Sequence, residues 1–217
     1  MERKKITIVY DNCSVESGLL ANWGFSCLIE IDQAPPLLFD TGADGTTLLH
    51  NMNRLGIDTT RVGAVVISHG HADHTGGLPD FLALNEQARI YVPASTKARI
   101  PGRRVVPVSG PLQISDNVFS TGELAAIEQS LVVKTAGGTV VVTGCSHPGV
   151  GAILEAASSH GRVCGIIGGL HGFRDFSQLE PLSMICPCHC TQYKEALGRR
   201  FPQQHVRCGA GVSIELP

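Results

Sequence analysis

The sequence has almost no surplus of charge of either sign: 17 Lys and Arg stand against 19 Asp and Glu, a formal charge of −2. Without a positive field there is little to gather nucleic acid or an anionic membrane, so neither is an expected partner. Long apolar runs are also missing, since each is broken by Gly, Ser or His well before the roughly 18 residues a bilayer span needs. No segment repeats at a period of about 20 to 50 residues and no tract is of low complexity, which excludes a solenoid. The opening Met-Glu-Arg-Lys-Lys passes directly into Ile6-Thr7-Ile8-Val9-Tyr10, a strand pattern where a secretory leader would show a longer apolar stretch. A cytoplasmic location is expected. There the eight cysteines are expected mostly to stay reduced, as buried, catalytic or metal-bound thiols rather than a disulfide framework.

What is present is enough to bury a core. Of 217 residues, 43% are hydrophobic and 17% charged, the balance of one folded domain spanning 1–217. Short Val- and Ile-rich runs at 25–31, 64–68, 131–134, 139–143 and 163–167 lie between Gly, Pro and Asp punctuation and read as buried strands. Thr46 to Leu55 sets Leu48, Leu49, Met52 and Leu55 on one helical face, and Val150 to Ser158 does so with Ile153, Leu154 and Ala157. This alternation of strands and helices predicts an α/β fold. The proline-punctuated segment 93–122 reads as loops with short strands at Val105 to Val108 and Val118 to Ser120.

The strongest chemical signal is Val65-Val66-Ile67-Ser68-His69-Gly70-His71-Ala72-Asp73-His74-Thr75-Gly76-Gly77. A buried strand there delivers three histidines and a carboxylate into six positions at its end. Imidazole and carboxylate hold zinc, iron or manganese, and small residues at 70 and 72 leave room for the chain to fold back. Four ligands in one loop can serve two ions, His69 and His71 facing one, Asp73 and His74 another about 3.5 Å away. Each ion needs further protein ligands, and His147 after Val140 to Gly144, and His189 after Met184-Ile185, sit where strand ends would supply them. His171 follows Ile166 to Gly169 and is a candidate to contact substrate or donate a proton, with a buried structural role as the alternative. His50, His160 and His205 read as background.

Two further signals are weaker. Ser146 to Gly151 leads from a strand into a helix, where free backbone N–H groups can hold a phosphate. Cys186, Cys188 and Cys190 surround His189. Strand alternation would place all three thiols opposite that histidine, as small buried hydrophobes or, in a different class of function, as a metal or thiol redox sensor.

Together with Phe39-Asp40-Thr41-Gly42, the His-x-His-x-Asp-His run resembles the metallo-β-lactamase superfamily. Asp11-Asn12, Trp23-Gly24-Phe25-Ser26, Asn51-Met52, Leu55 to Asp58, Thr143-Gly144-Cys145-Ser146-His147-Pro148-Gly149 and His189-Cys190-Thr191 are similar to one branch, the dihydropterin synthase-like metallo-hydrolases. The resemblance runs from Ile6 to the C-terminus. It implies a four-layer αβ/βα sandwich with two divalent ions at one edge, zinc first and iron or manganese as alternatives. His69, His71 and His147 would hold one ion and Asp73, His74 and His189 the other. Other branches place a bridging aspartate where this chain has Cys145, and supply a histidine from a region where 112–130 has none. Either Cys145 bridges as a thiolate, or His147 replaces the missing imidazole.

The implied chemistry is hydrolysis of a small ester, lactone or phosphorylated compound by a metal-activated hydroxide, with Asp73 both ligating and orienting the nucleophile. Asp40 and Ser68 would fix imidazole tautomers, Asp40 being alternatively a helix cap or turn residue. The branch also implies a second activity, a transferase joining a pterin methyl diphosphate to an aminobenzene ribotide. This chain departs from the branch at Gly168 to Gly172 and at Gln192, and its segment 78–122 is short. A thinner cover predicts a more open pocket for the small-molecule substrate, or a homo-oligomer in which a partner subunit completes it.

Overall fold

The structure is a computed structural model that describes residues 3–96 and 100–216. Strands β1 (Lys4–Tyr10), β2 (Ser26–Ile31), β3 (Leu37–Phe39), β4 (Ala64–Val66), β5 (Arg89–Pro93) and β6 (Val105–Val108) lie side by side in chain order. A second sheet holds β7 (Leu112–Ser115), β8 (Val118–Ser120), β9 (Leu131–Thr135), β10 (Gly138–Thr143), β11 (Val163–Gly169) and β12 (Met184–Cys188), again in chain order. The final strand, β13 (Ser213–Leu216), returns to the first sheet and pairs antiparallel with β1. In the first sheet β3 to β6 run parallel, and in the second β10, β11 and β12 do.

Parallel strands need crossovers, and these carry the helices. Helices α1 (Gly45–Arg54), α2 (Ala72–Thr75) and α3 (Leu78–Leu84) belong to the first half, α4 (Val150–Ser158) and α5 (Lys194–Arg200) to the second. Alternation along each strand sorts side chains into three apolar layers. Leu131 and Val133 of β9, with Val140 and Val142 of β10, meet Ile6, Ile8, Ile29, Phe39 and Val66 between the sheets. Val132, Val141 and Ile166 face outward onto Val150, Ile153 and Ala157 of α4 and Leu197 of α5. Leu28, Leu38 and Val65 face the other way onto Leu48 and Met52 of α1 and Phe81 of α3. Helix, sheet, sheet, helix is the four-layer α/β sandwich that the resemblance implies, and strands covered on both faces explain their nearly continuous apolar composition.

The expected strands and both expected helices form, with α1 shifted by one residue because Asp44 caps it, accepting the Thr47 N–H at 2.7 Å. The histidine run departs in shape. β4 stops at Val66, and Asp73 and His74 stand on the one-turn helix α2 rather than in an open loop. No helix among the described residues is long and apolar enough to cross a membrane. The expectation that the cysteines mostly stay reduced, without a disulfide framework, meets one exception: Cys188 and Cys208 are joined by a disulfide. The segment before β13 runs beside β12, with Val206 N–H donating to Ile185 O at 2.8 Å, which brings the two Cα atoms to 5.3 Å. The other six cysteines are free.

Phe39 is wholly buried between the sheets, with its ring centroid 6.4 Å from that of Phe25 in an edge-on contact. Phe39→Ala is expected to cost about 3–5 kcal/mol through lost burial and a cavity. Equilibrium denaturation in urea would show this as a lower midpoint with an unchanged slope.

Candidate metal centre

The carboxyl ends of β1, β3, β4, β10, β11 and β12 deliver their next residues to one rim. Asp11 and Asn12 follow β1, Asp40 follows β3, His69 lies three residues past β4, Cys145 and His147 follow β10, His171 follows β11 and His189 follows β12. Ligands in open α/β sheets gather at such carboxyl ends. The rim demands unusual backbone: Asp40, Ser146, His171 and His189 all have positive φ, between 42° and 59°. Left-handed non-glycine residues cost free energy and persist where the surroundings over-determine them.

Among the described residues the ring atoms of His69, His71 and His147 lie within 4.8 Å of one another, as do the donor atoms of Asp73, His74 and His189. Cys145 Sγ belongs to both neighbourhoods. It groups with His69 and His74 on one side and with His189 and Cys190 on the other. Cys145 and His147, alternatives in the sequence, therefore both reach the rim.

Each buried imidazole is anchored from behind. His74 donates Nδ1–H to Asp40 Oδ2 at 2.7 Å. Ser68 donates its hydroxyl to the same oxygen at 2.7 Å and its N–H to Oδ1 at 2.6 Å, so its oxygen is free to accept from His69 Nδ1 at 2.8 Å. His189 donates Nδ1–H to Asn12 Oδ1 at 2.9 Å, and its backbone N–H to Asp11 Oδ2 at 2.7 Å. With Nδ1 spent, the Nε2 lone pair of each ring faces the rim, the arrangement that orients metal-binding histidines. Asp40 is no helix cap, since Asp44 fills that role.

His147 gives the sharpest clue. Its Nε2 is buried and has no hydrogen-bond partner among the described residues, while its ring lies 4.7 Å from His69 and 5.0 Å from His71. A buried polar atom left unpaired costs about 1–3 kcal/mol, and a ligand is the usual explanation. His171 also stands at the rim, 5.2 Å from the His147 ring, and is exposed, which sets aside the buried structural role. His50, His160 and His205 take no part: His50 bonds the Gly18 carbonyl, His160 stacks on Phe119 and His205 sits beside Gly198.

Electrostatics favour the neutral form at three of the rim imidazoles. Burial, then His74 and the other rings, pushes His69 far below the ordinary 6.5, and burial followed by His74 takes His189 to about 4. His147 is lowered too, chiefly by burial. Burial would also lower His74, but Asp40 outweighs it and His74 is raised. Burial raises Asp40 despite His74. Asp73 is lowered because His74, its own backbone, His189 and Trp23 overcome desolvation. Cys145 shares a hydrogen bond with Cys190 that raises its own thiol and lowers the Cys190 thiol.

Two amides of the predicted phosphate cradle, those of Ser146 and His147, are already taken. Glu128, wholly buried, accepts the N–H groups of Gly144, Cys145 and Ser146 on Oε1 at 2.9–3.1 Å and that of His147 on Oε2 at 2.8 Å. The loop does attract an anion, and the chain supplies its own. Glu128 escaped the sequence reading because no local pattern marks it. Asp11 and Asn12 entered the sequence reading only as part of the family resemblance, without a role, although both are polar residues immediately after a buried strand. Trp23, the chain's one tryptophan, is 57% exposed, donates Nε1–H to Asp73 Oδ2 at 3.0 Å and packs edge-on 4.8 Å from His189. A cleft of about 520 Å³ lined by Lys5, Glu30, Asp32 and Arg61 shares no residue with this rim.

Residues 36–167 match the model of the family described as the beta-lactamase superfamily domain. A curated relative from Methanocaldococcus jannaschii, 7,8-dihydropterin-6-methyl-4-(beta-D-ribofuranosyl)-aminobenzene-5'-phosphate synthase, is 25% identical, the match covering 98% of this chain and 96% of that protein. The crystal structure of Tm1679, described as a metal-dependent hydrolase of the beta-lactamase superfamily, superposes with a TM-score of 0.77 at 27% identity, covering 98% of this chain and 99% of that one. YhfI of Bacillus subtilis, a metallo-beta-lactamase fold protein, shares the fold over the whole of both chains with a TM-score of 0.70 at 15% identity.

The depressed histidines set the acid response of the metal-free protein. A histidine lowered in the fold stays neutral while the unfolded chain protonates, so its contribution is lost as pH falls from about 6.5 toward its folded value, by up to about 1.4 kcal/mol per pH unit. His74, raised, acts in the opposite sense, with its stabilisation present below about 6.5 and lost as pH rises through its folded value. Five lowered histidines, His69, His147 and His189 at the rim with His160 and His205 elsewhere, outnumber the raised His74 and predict a lower denaturation midpoint for metal-free protein at pH 5 than at pH 7. An equal or higher midpoint at pH 5 would contradict this assignment of charge.

Proposed function

The chain belongs to the beta-lactamase superfamily, and from that premise and the geometry of its histidine rim we propose that it is a cytoplasmic binuclear metal-dependent hydrolase of a small ester, lactone or phosphorylated compound. The observation that carries the reading is the buried, unpartnered Nε2 of His147, set beside His71 and beside His69, whose Nδ1 is already committed to Ser68. Neutral rings, a carboxylate and a sulfur are a donor set that suits divalent cations, zinc first, with iron and manganese as alternatives. His69, His71 and His147 would hold one ion, Asp73, His74 and His189 the other, with Cys145 between them.

Two divalent ions bound there would lower the pKa of water from about 15.7 toward about 7 and polarise a carbonyl or phosphoryl oxygen. The chain's own contribution is orientation and proton handling. Asp40 and Ser68 hold His74 and His69 in the tautomers that leave Nε2 free. Trp23 steadies the Asp73 carboxylate from the solvent side while Asp73 Oδ2 lies 3.1 Å from His189 Nε2. His171, exposed beside His147, is placed to pass a proton to a departing group.

A second reading has one specific observation in its favour, the near full-length relative named as a pterin-forming synthase. In that reaction an arylamine displaces diphosphate from a pterin methylene carbon, and the same cations would stabilise the departing charge. The readings separate by assay. Metal-loaded protein is incubated with a pterin diphosphate and an aminobenzene ribotide, and in parallel with a panel of esters, lactones and phosphoesters. Turnover of the panel without coupled product supports the hydrolase; coupled product alone overturns it. A metal or thiol sensor would turn over neither.

Metal analysis is expected to give close to two ions per chain, and His71→Ala and Asp73→Ala to lose metal and activity together. Unchanged metal content in the double variant would reject the ligand assignment. Asp40→Asn touches no proposed ion, yet it offers one acceptor where His74 and Ser68 present three donor groups. Its expected effect is a loss of about 10–100-fold in metal affinity, read by competition with a chromogenic chelator.

A further inference from the structure

We propose that Cys190 is a metal ligand, so that one cation of the rim is held by two thiolates, Cys145 and Cys190, together with His189. This rests on the rim being a metal site, as proposed above, and adds a ligand whose thiol the sequence pattern placed on the opposite side of the strand.

Three independent features of the chain bring the sulfur there. The first is backbone. β12 ends at Cys188, and His189 adopts φ of 42°. Continued alternation would have sent Cys190 into the space between the sheets with Cys186 and Cys188. The left-handed residue instead turns the chain so that consecutive side chains, His189 and Cys190, both reach the rim.

The second is distance: Cys145 Sγ, Cys190 Sγ and a ring nitrogen of His189 lie within 4.8 Å of one another. Cys145 is also 3.2 Å from His74 Nε2 and grouped with His69, so its sulfur stands between the two histidine sets while Cys190 stands on the side of His189 alone.

The third is space. A Cβ at Gly169 would run into Gly144 O and lie 2.6 Å from Cys190 Sγ and 3.3 Å from the Cys145 Cα, so the close approach of the Gly144 loop demands glycine there and the Cys190 thiol fills the volume left beside it. Gly169 N–H also donates to Gly144 O at 3.0 Å, tying the strand end that carries the gap to the loop that carries Cys145.

A divalent cation entering this group displaces the proton of each thiol to solvent, two protons for two metal–sulfur bonds, with no change of oxidation state. Two soft sulfurs bias the site toward zinc and cadmium over manganese or magnesium.

Cadmium is the probe. Reduced, metal-free wild-type protein is titrated with cadmium, recording the ultraviolet thiolate-to-metal charge-transfer band and the cadmium NMR shift. The Cys145→Ser/Cys190→Ser double variant serves as the baseline that removes any contribution from Cys13, Cys186, Cys188 or Cys208. Over that baseline Cys190→Ser is expected to retain about half of the wild-type band, with the cadmium resonance displaced toward fewer sulfurs.

A second measurement needs no variant. Cys190 is partly exposed, so zinc is expected to protect it from alkylation by iodoacetamide, followed by peptide mass spectrometry. An undiminished band in Cys190→Ser, or equal alkylation with and without zinc, overturns the proposal. If two cations still bind and depend on His71 and Asp73, the metal-enzyme reading survives that failure. If wild-type protein binds no cation at the rim, both fall.

Discussion

The structure depends on one buried arrangement, the carboxylate of Asp40 with Ser68, His69 and His74 gathered around it. A wholly buried carboxylate without partners would be costly, and here every donor that satisfies it comes from the histidine run. The same bonds that settle Asp40 fix which nitrogen of two imidazoles faces the rim. Folding and site assembly are one event: β3 and β4 must pair in parallel register, Phe39 beside Val66, before Asp40 can reach Ser68. The second sheet repeats the device with Glu128, whose oxygens hold the loop after β10 as Asp40 holds the run after β4.

Four of the eight non-glycine residues with positive φ among the described residues lie where this assembly occurs. Asp40, Ser146, His171 and His189 all sit in the left-handed region at the carboxyl ends of strands. Each turn redirects side chains that alternation would have sent into the layers above or below the sheet. The outcome is a rim crowded with polar groups directly above a dry core of Ile8, Phe39, Val142 and Ile167. Low dielectric beneath, and the repulsion the rings would exert on one another if protonated, favour the neutral form of His69, His147 and His189, the state in which they can bind a cation, while Asp40 works the other way on His74.

Much of this was legible in the residues. Val- and Ile-rich runs gave the buried strands, apolar spacing gave α1 and α4, and the histidines at 69, 71, 74, 147, 171 and 189 come together as strand-end placement suggested. Asp40 and Ser68 could be read because they flank strands. What stayed hidden depended on a single dihedral or a distant partner. Cys190 looked like a third inward thiol until the φ of His189 reversed it. Glu128 carries no motif, because its role is defined by four amides fifteen to twenty residues further on. In the Ser146 to Gly151 turn the amides of Ser146 and His147 go to Glu128, a partner too distant in sequence for any local pattern to show. The Cys188–Cys208 disulfide likewise follows from β12 lying beside the segment that precedes β13.

The central claim is that separated strand ends build two adjoining cation sites from these side chains. Anomalous diffraction from crystals grown with zinc, collected on either side of the zinc edge, tests it most directly. The account requires two peaks, one among His69, His71 and His147 and the other among Asp73, His74 and His189, with the Cys145 sulfur between them. A rim without anomalous signal, or zinc found only at surface residues elsewhere, would contradict it.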